Sequence, residues 1–364
     1  MKPVDAPALF SASYAEARSR FLQAAAARGL AVDSRVLDLP GAEGETQAID
    51  VVLDGPADAS RMLVVLSGVH GVEGFAGSAI QTGLLGLSAP LQPDTAVLHV
   101  HALNPYGFSH LRRVTQENVD LNRNFVDFAR PLPMNPGYAE IHEALLPTEW
   151  PPGPQAEAAL DAYRQRHGAR GLQRAIGLGQ HQFADGMFFG GHAPTWSQRN
   201  FRSILRQYTP RVRQLASIDI HTGLGPYGVG ERIFASFDAA LLPRAQRWWG
   251  TLTSVHDGSS TSIPLTGPVQ TALAEACGTH IGICLEYGTW PNERVMPALR
   301  AEHWLHRRGS ADPVQAAAIR QALKAAFYPE TDDWKRLVWQ QGVEACRQAM
   351  AGLQEPAEAR VAAL

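Results

Sequence analysis

The segment RMLVVLSG at 61–68 is apolar on both faces of any strand it could form. It runs into a glycine-rich turn, a helix-forming stretch at 76–87 (AGSAIQTGLLGL) and a second apolar run, TAVLHVHALNP at 95–105. A strand apolar on both faces belongs in a sheet covered on both sides, and strand, helix, strand in this order predicts a parallel pair joined by a crossover. The pattern returns in QLASIDIHTG (214–223), ERIFASF (231–237) and HIGICLEYG (280–288), with shorter β-type runs at RVLDLP (35–40) and TQAIDVVLDGP (46–56). Apolar spacing predicts a first helix over 14–28, with Gly29 where a C-cap would stand, and closing helices over 299–308, 312–327 and 334–350. The expectation is an α/β fold, three-layer α/β/α with a mixed, mostly parallel sheet, in one domain spanning 1–364.

Between 130 and 191 the texture changes. RPLPMNPGY and PTEWPPGP are proline-rich and are followed by the helix-like AEAALDAYRQRHGARGLQRAIG. This breaks the strand rhythm without the length of an independent domain, so it reads as an insertion over the cleft, lying on one side of the core. Its stretch FADGMFFGGHAPTWSQRN offers His192, Trp196 and Arg199 as pocket-lining candidates, though an aromatic, glycine-rich turn serves packing equally well.

In a parallel sheet, ligands collect at the carboxyl ends of the strands. Four chemistry-bearing residues fall at or just beyond such ends: His70 and Glu73 in VVLSGVHGVEG, His221 in SIDIHTGLG and Glu286 in ICLEYGTW. Taken singly, each has a plain reading. A His and a Glu three apart occur by chance, His221 could be satisfied by backbone, and Glu286 could pair with an arginine. Together they supply two histidines and a carboxylate as ligands, with a separate carboxylate as base, one of the sets that hold a hydrolytic zinc while leaving a position open for water. An apolar strand carrying Glu286 into a cleft would raise its pKa toward the range of a useful base.

The stretch HALNPYGFSHLRRVTQENVDLNRNF at 101–125 completes the order of parts: HxxE, NP-x-G, an arginine ahead of VDLNRNF, a strand ending in His and a strand ending in Glu. Over residues 63–290 the chain resembles the zinc carboxypeptidase superfamily, which includes carboxypeptidases and the aspartoacylase and succinylglutamate desuccinylase deacylases, and within it a bacterial branch carrying HTGLG and LEYGT. The resemblance implies a zinc carboxypeptidase-like fold and one zinc ion per chain on His70, Glu73 and His221. It implies Glu286 as general base, Arg113 facing the developing oxyanion, Asn122 and Arg123 gripping a substrate carboxylate, and Asp120 accepting from the second nitrogen of His70. Arg112 is set aside as solvent- or phosphate-facing. Peptide-cleaving members carry a tyrosine on a loop a little over twenty residues before the base, where this chain reads SSTSIPLTGPVQ; Tyr227, reaching in from another direction, is the substitute candidate. The implied activity is zinc-dependent hydrolysis of an amide bond beside a free carboxylate, on a peptide or on an N-acyl amino acid.

Composition bounds the alternatives. A net charge of −3 and a pI near 6.5 give no footprint for nucleic acid or an anionic membrane, so a small-molecule or peptide substrate is expected. Cys277, Cys284 and Cys346 form no CxxC pair and read as reduced, buried thiols. The N-terminal stretch lacks the apolar core of a secretory signal, and a cytoplasmic protein is expected. No G-x-S-x-G elbow is present, which disfavours a serine hydrolase. A non-catalytic relative that binds a carboxylate or a protein would usually have lost a ligand or the base, and this chain retains all of them.

Overall fold

The computed structural model describes residues 4–87, 91–309 and 312–355. Eight strands form one sheet: β1 (Val32–Pro40), β2 (Thr46–Asp54), β3 (Arg61–Leu66), β4 (Thr95–His101), β5 (Gln214–Gly223), β6 (Gly230–Phe234), β7 (Thr253–Ser254) and β8 (His280–Gly288). The helices are α1 (Tyr14–Ala27), α2 (Gly74–Leu87), α3 (Pro105–Ser109), α4 (Pro136–Leu145), α5 (Pro154–Gly177), α6 (Trp196–Tyr208), α7 (Leu242–Trp249), α8 (Gln270–Ala276), α9 (Asn292–Arg308), α10 (Pro313–Phe327) and α11 (Asp332–Gly352). Spatial order in the sheet is β1-β2-β4-β3-β5-β8-β6-β7. The central four strands, β4, β3, β5 and β8, run parallel, while β2 pairs antiparallel with β1 and β4, and β6 pairs antiparallel with β8. This is the mixed, mostly parallel α/β sheet expected from the sequence.

The period-2 alternation of the strands divides the core in two. Leu63, Val65, Ile218, Ile220, Ile283 and Leu285 face one way, onto α2, α7 and α11. Met62, Val64, Leu66, Leu98, Val100 and Leu215 face the other, onto α6 and α8. A third apolar cluster joins α4 and α5 of the 130–191 segment to α9 and α10, and it also takes in Val72, two residues beyond His70. The segment therefore packs on the C-terminal helices. No helix among the described residues is long and apolar enough to cross a membrane.

Helices α3, α6, α7 and α8 depart from the sequence reading, α3 being a single turn within the 101–125 stretch. α6 lies where a glycine-rich turn was expected to continue, started by the Thr195 side chain accepting from Gln198 N at 3.1 Å. α7 and α8 are short and lack a long periodic pattern. At the first predicted helix, Gly29 adopts φ +64° and donates to Ala26 O, as a C-terminal cap does.

Candidate metal centre

After β3 the chain leaves the sheet through Ser67–Val69 and enters a single 3-10 turn, Gly71–Glu73, that leads into α2. The turn is docked on the loop after α3: Gly71 N donates to Arg113 O at 3.1 Å and Val72 N to Arg112 O at 2.8 Å. Gly71 sits against the Gly107 backbone with no room for a side chain. His70 and Glu73 are thereby fixed on adjoining corners of one turn, both buried.

His221 arrives from β5, where parallel pairing sets it directly beside Glu286 of β8, and Asp219 beside Cys284. Four polar side chains thus share one face at the carboxyl ends of two neighbouring strands. Nδ1 of His221 lies 3.1 Å from Nδ1 of His70 and 3.1 Å from Oε2 of Glu73, while Nδ1 of His70 lies 3.1 Å from Oε1 of Glu73. Ligands around one tetrahedral zinc at about 2.0–2.1 Å stand about 3.3 Å apart, so three converging donors at this spacing fit such an ion. The outer nitrogens face carboxylates: His70 Nε2 is 3.1 Å from Asp120 Oδ1, and His221 Nε2 is 2.8 Å from Asp219 Oδ2, close but misaligned for a hydrogen bond. Carboxylates in those positions orient metal-binding imidazoles.

Without an ion the cluster balances its charge by protons. Burial would raise the Glu73 carboxyl, but the His70 charge, hydrogen bonds from His221 and His70, and Arg113 together hold it far below the usual range. Burial would lower the His221 imidazole, and Asp219 and Glu73 outweigh it, raising His221 well above an ordinary histidine. Asp120 is held well below the usual carboxylate range by Arg113, His70 and Arg123 against its burial. A divalent cation would supply positive charge that these carboxylates now draw in part from the His221 proton. Arg113 completes the arrangement, donating from Nε to Asp120 Oδ2 at 3.0 Å and from Nη1 to Glu73 Oε1 at 2.9 Å. Its Nη2 stands 2.8 Å from His70 Nε2, which can serve either as a lone pair for Arg113 or as an N–H for Asp120. With Nδ1 given to a metal, the N–H toward Asp120 is the form required.

Glu286 is 9% exposed and accepts from Leu224 N at 3.0 Å through Oε1. Burial, then the nearby Glu73 charge, push its pKa up to about 7, against the pull of His221, Leu224 N and Arg113. Its Oε2 makes no hydrogen bond among the described residues. Asp219, His221 and Cys284 form a second grouping of donor atoms. Burial, with Asp219 and Glu286 nearby, raises the Cys284 thiol well above an ordinary cysteine.

The remaining expected residues are placed differently. Arg123 is buried and gives three of its five N–H groups to backbone carbonyls: Nε to Leu178 O at 3.1 Å, Nη1 to Asn122 O at 3.1 Å, and Nη2 to Gly177 O. The Nε/Nη2 edge of Arg123, the residue expected to grip a carboxylate, closes the C-terminus of α5. Asn122 accepts from Val269 N through Oδ1 at 2.9 Å, leaving Nδ2 without a hydrogen bond among the described residues. Tyr227 corrects its expectation: its hydroxyl is held by Thr331 Oγ1 at 2.5 Å, with Asp333 at 3.4 Å, at the start of α11. Arg112 is 4% exposed, not solvent-facing, and pairs with Glu302 at 2.6 Å. His192 bonds His181 O, Trp196 packs against the apolar cluster that includes α6 and α8, and Arg199 turns back to Pro194 O, so none of the three joins the metal-ligand cluster.

Two contributors escaped the sequence reading. Asp219 had a signal, since a residue two before His221 on a strand shares its face. Phe188 had none. It comes from the 130–191 segment and lays its ring against Arg113, 5.2 Å from Cζ to the ring centre, and against Arg123 at 5.7 Å.

A family model described as "Protein of unknown function (DUF2817)" matches residues 10–341. No curated protein matches the chain. Solved structures similar to it include carboxypeptidase A from Helicoverpa armigera, at 14% identity over 93% of this chain and 73% of that one, TM-score 0.46. Another is bovine thrombin-activatable fibrinolysis inhibitor in complex with tick carboxypeptidase inhibitor, at 11% identity over 94% and 97%, TM-score 0.49. A third is murein-tripeptide amidase from Escherichia coli O157, at 13% identity over 75% and 91%, TM-score 0.33.

Proposed function

Because the chain belongs to the family described as protein of unknown function DUF2817, a description that names no activity, we propose its function from the site: a zinc-dependent hydrolase that cleaves an amide bond adjacent to a free carboxylate. The observation that carries the reading is the convergence of His70 Nδ1, Glu73 and His221 Nδ1 at 3.1 Å separations beside a carboxyl group with its pKa near 7. His70, Glu73 and His221 would hold the ion. A zinc bound there would lower the pKa of a water molecule toward neutrality and polarise the scissile carbonyl.

The protein groups then divide the work. Glu286, its Oε1 fixed by Leu224 N–H, takes the water proton on Oε2 and returns it to the leaving amine. A carboxyl whose affinity for a proton is raised by burial is suited to both transfers. Arg113 is anchored to Asp120 and lies against the ligand cluster, so its fixed charge favours an oxyanion forming on the substrate carbonyl. A substrate carboxylate is met by Asn122 Nδ2 and the two N–H groups that Arg123 has not given to backbone. The whole chain acts as one domain, with 130–191 forming one wall of the cleft.

The second reading is an N-acyl amino acid deacylase of the aspartoacylase type. It is favoured by Tyr227 being held at α11, which leaves no tyrosine of the peptide-cleaving pattern at the site. Both readings are tested by amine release from short peptides and N-acyl amino acids, each with a free and an amidated C-terminus, using Glu286→Gln as control. Hydrolysis confined to free carboxylates supports the proposal, and the size of the best substrate separates peptidase from deacylase. Equal hydrolysis of both forms removes the carboxylate requirement. Silence from the zinc-loaded protein on the whole panel refutes the hydrolase reading in favour of a carboxylate-binding relative.

A further inference from the structure

Phe188 has left-handed backbone, φ +52°, a conformation that side chains branching from Cβ to a bulky ring rarely adopt. The strain is held from both sides. Met187 N donates to Tyr138 OH at 2.7 Å, Asp120 N donates to Phe189 O at 2.8 Å, and Phe188's own carbonyl accepts from Gln180 N at 3.1 Å. Gly179, at φ +79°, passes so close that a Cβ there would stand 2.8 Å from Phe188 O. Phe188 is a buried member of the apolar cluster around α4 and α5, and at this backbone angle its ring also lies over two guanidinium groups. Strained residues that surrounding structure holds in place concentrate at functional sites.

The two cations differ in their other supports. Arg123 is tied to three backbone carbonyls and needs no further anchor. Arg113 is tied to Asp120, Glu73 and His70, and the last two are the groups a metal would engage. With His70 Nδ1 on a metal, its Nε2 hydrogen turns to Asp120 and no longer receives Arg113, and Glu73 shares its charge with the ion, so Asp120 and the face of Phe188 carry more of the hold on Arg113. We propose that Phe188 is a positioning residue, supplied by the 130–191 segment, that fixes the Arg113 guanidinium at the metal centre and keeps water off its outer face. For its kinetic consequence this rests on the hydrolase reading; for the placement of Arg113 it does not.

The test pairs two readouts on the full-length, zinc-loaded protein. Phenylglyoxal labels accessible arginines, and peptide mass mapping locates the label. Phe188→Leu keeps an apolar side chain but removes the ring face, Phe188→Trp restores an aromatic face, and Phe188→Gly removes the ring while relieving the left-handed backbone, so that at least one ring-less variant folds. Arg113 is expected to label several-fold faster in the Leu and Gly variants and slowly in the Trp variant, with Arg123 slow in all. On a hydrolysed substrate, kcat is expected to fall about 2- to 30-fold in Phe188→Leu, the range a cation–ring contact spans, with KM little changed, zinc affinity unchanged and recovery in Phe188→Trp. Labelling of Arg113 as slow in both ring-less variants as in the parent overturns the proposal, as does failure of Trp to protect. If the parent hydrolyses no amide, the hydrolase reading falls while the labelling still decides the role of Phe188.

Discussion

Replacing Glu286 with glutamine in the metal-free protein gives the most direct test of the electrostatics at this site. The carboxyl titrates at 4.5 in an unfolded chain and is pushed up to about 7 here, chiefly by burial and then by Glu73. At low pH both states are protonated and the group contributes nothing. As pH rises through 4.5 the unfolded chain releases its proton while the folded protein retains it, so stability is lost with rising pH until the folded group also ionises near 7, and the loss is constant above that. A shift of this size corresponds to a penalty on the order of 3 kcal/mol at alkaline pH and less than about 1 kcal/mol near pH 5. Glutamine cannot ionise, and its amide oxygen still accepts from Leu224 N. Chelator-treated Glu286→Gln should therefore resist urea better than the parent by on the order of 3 kcal/mol near pH 8.5, with the advantage mostly gone near pH 5. Adding zinc should shrink the advantage, because a cation stabilises the ionised parent. Equal urea midpoints for the two proteins at the higher pH would refute the claim that Glu286 is a desolvated, repelled carboxyl.

Asp219→Asn should weaken zinc binding about 10- to 100-fold, the usual cost of losing a carboxylate behind a ligating histidine, as read by competition with a chromophoric chelator; an unchanged dissociation constant would mean His221 is oriented without it. Arg123→Met should cost about 3 kcal/mol of unfolding free energy by leaving three backbone carbonyls without donors, whereas a residue serving only as a carboxylate clamp would raise KM and leave the denaturation midpoint alone. The ascending limb of kcat/KM against pH should show an apparent pKa no higher than about 7, since zinc can only lower the Glu286 value; a limb centred well above that would assign the base elsewhere.

The convergence of His70, Glu73, His221 and Glu286 was legible in the sequence because the turn at 70–73, His221 and Glu286 each follow an uninterrupted apolar strand, and strand ends in a parallel sheet converge. Asp120 was legible only through the family resemblance, and the structure sets its Oδ1 against His70 Nε2. Arg123 has a structural task that the sequence hid for a physical reason. A guanidinium in an asparagine- and aspartate-rich loop advertises five donors, but local sequence does not reveal that the carbonyl end of α5, more than fifty residues away, comes to rest on it. The partners of Tyr227 were hidden in the same way, Thr331 and Asp333 lying a hundred residues on. Phe188 was hidden because its contribution depends on a backbone angle that no pattern of apolar residues encodes.

The pairing of β5 with β8 places His221 directly opposite Glu286, with no offset in register. The separation between the proposed metal ligand and the proposed base is then set by the spacing of neighbouring strands, about 4.8 Å, a repeat built from peptide hydrogen bonds and indifferent to side-chain identity. Such a ruler is insulated from the loops that hang beyond it. Loops beyond Leu224 and beyond Gly288 lie outside this ladder, so on the proposed function substrate preference can drift there while His221 and Glu286 stay in place. The vulnerability lies in the ladder itself: one residue inserted between Leu215 and His221 would turn the histidine onto the opposite face of the sheet, and no adjustment of the surrounding loops could recover it.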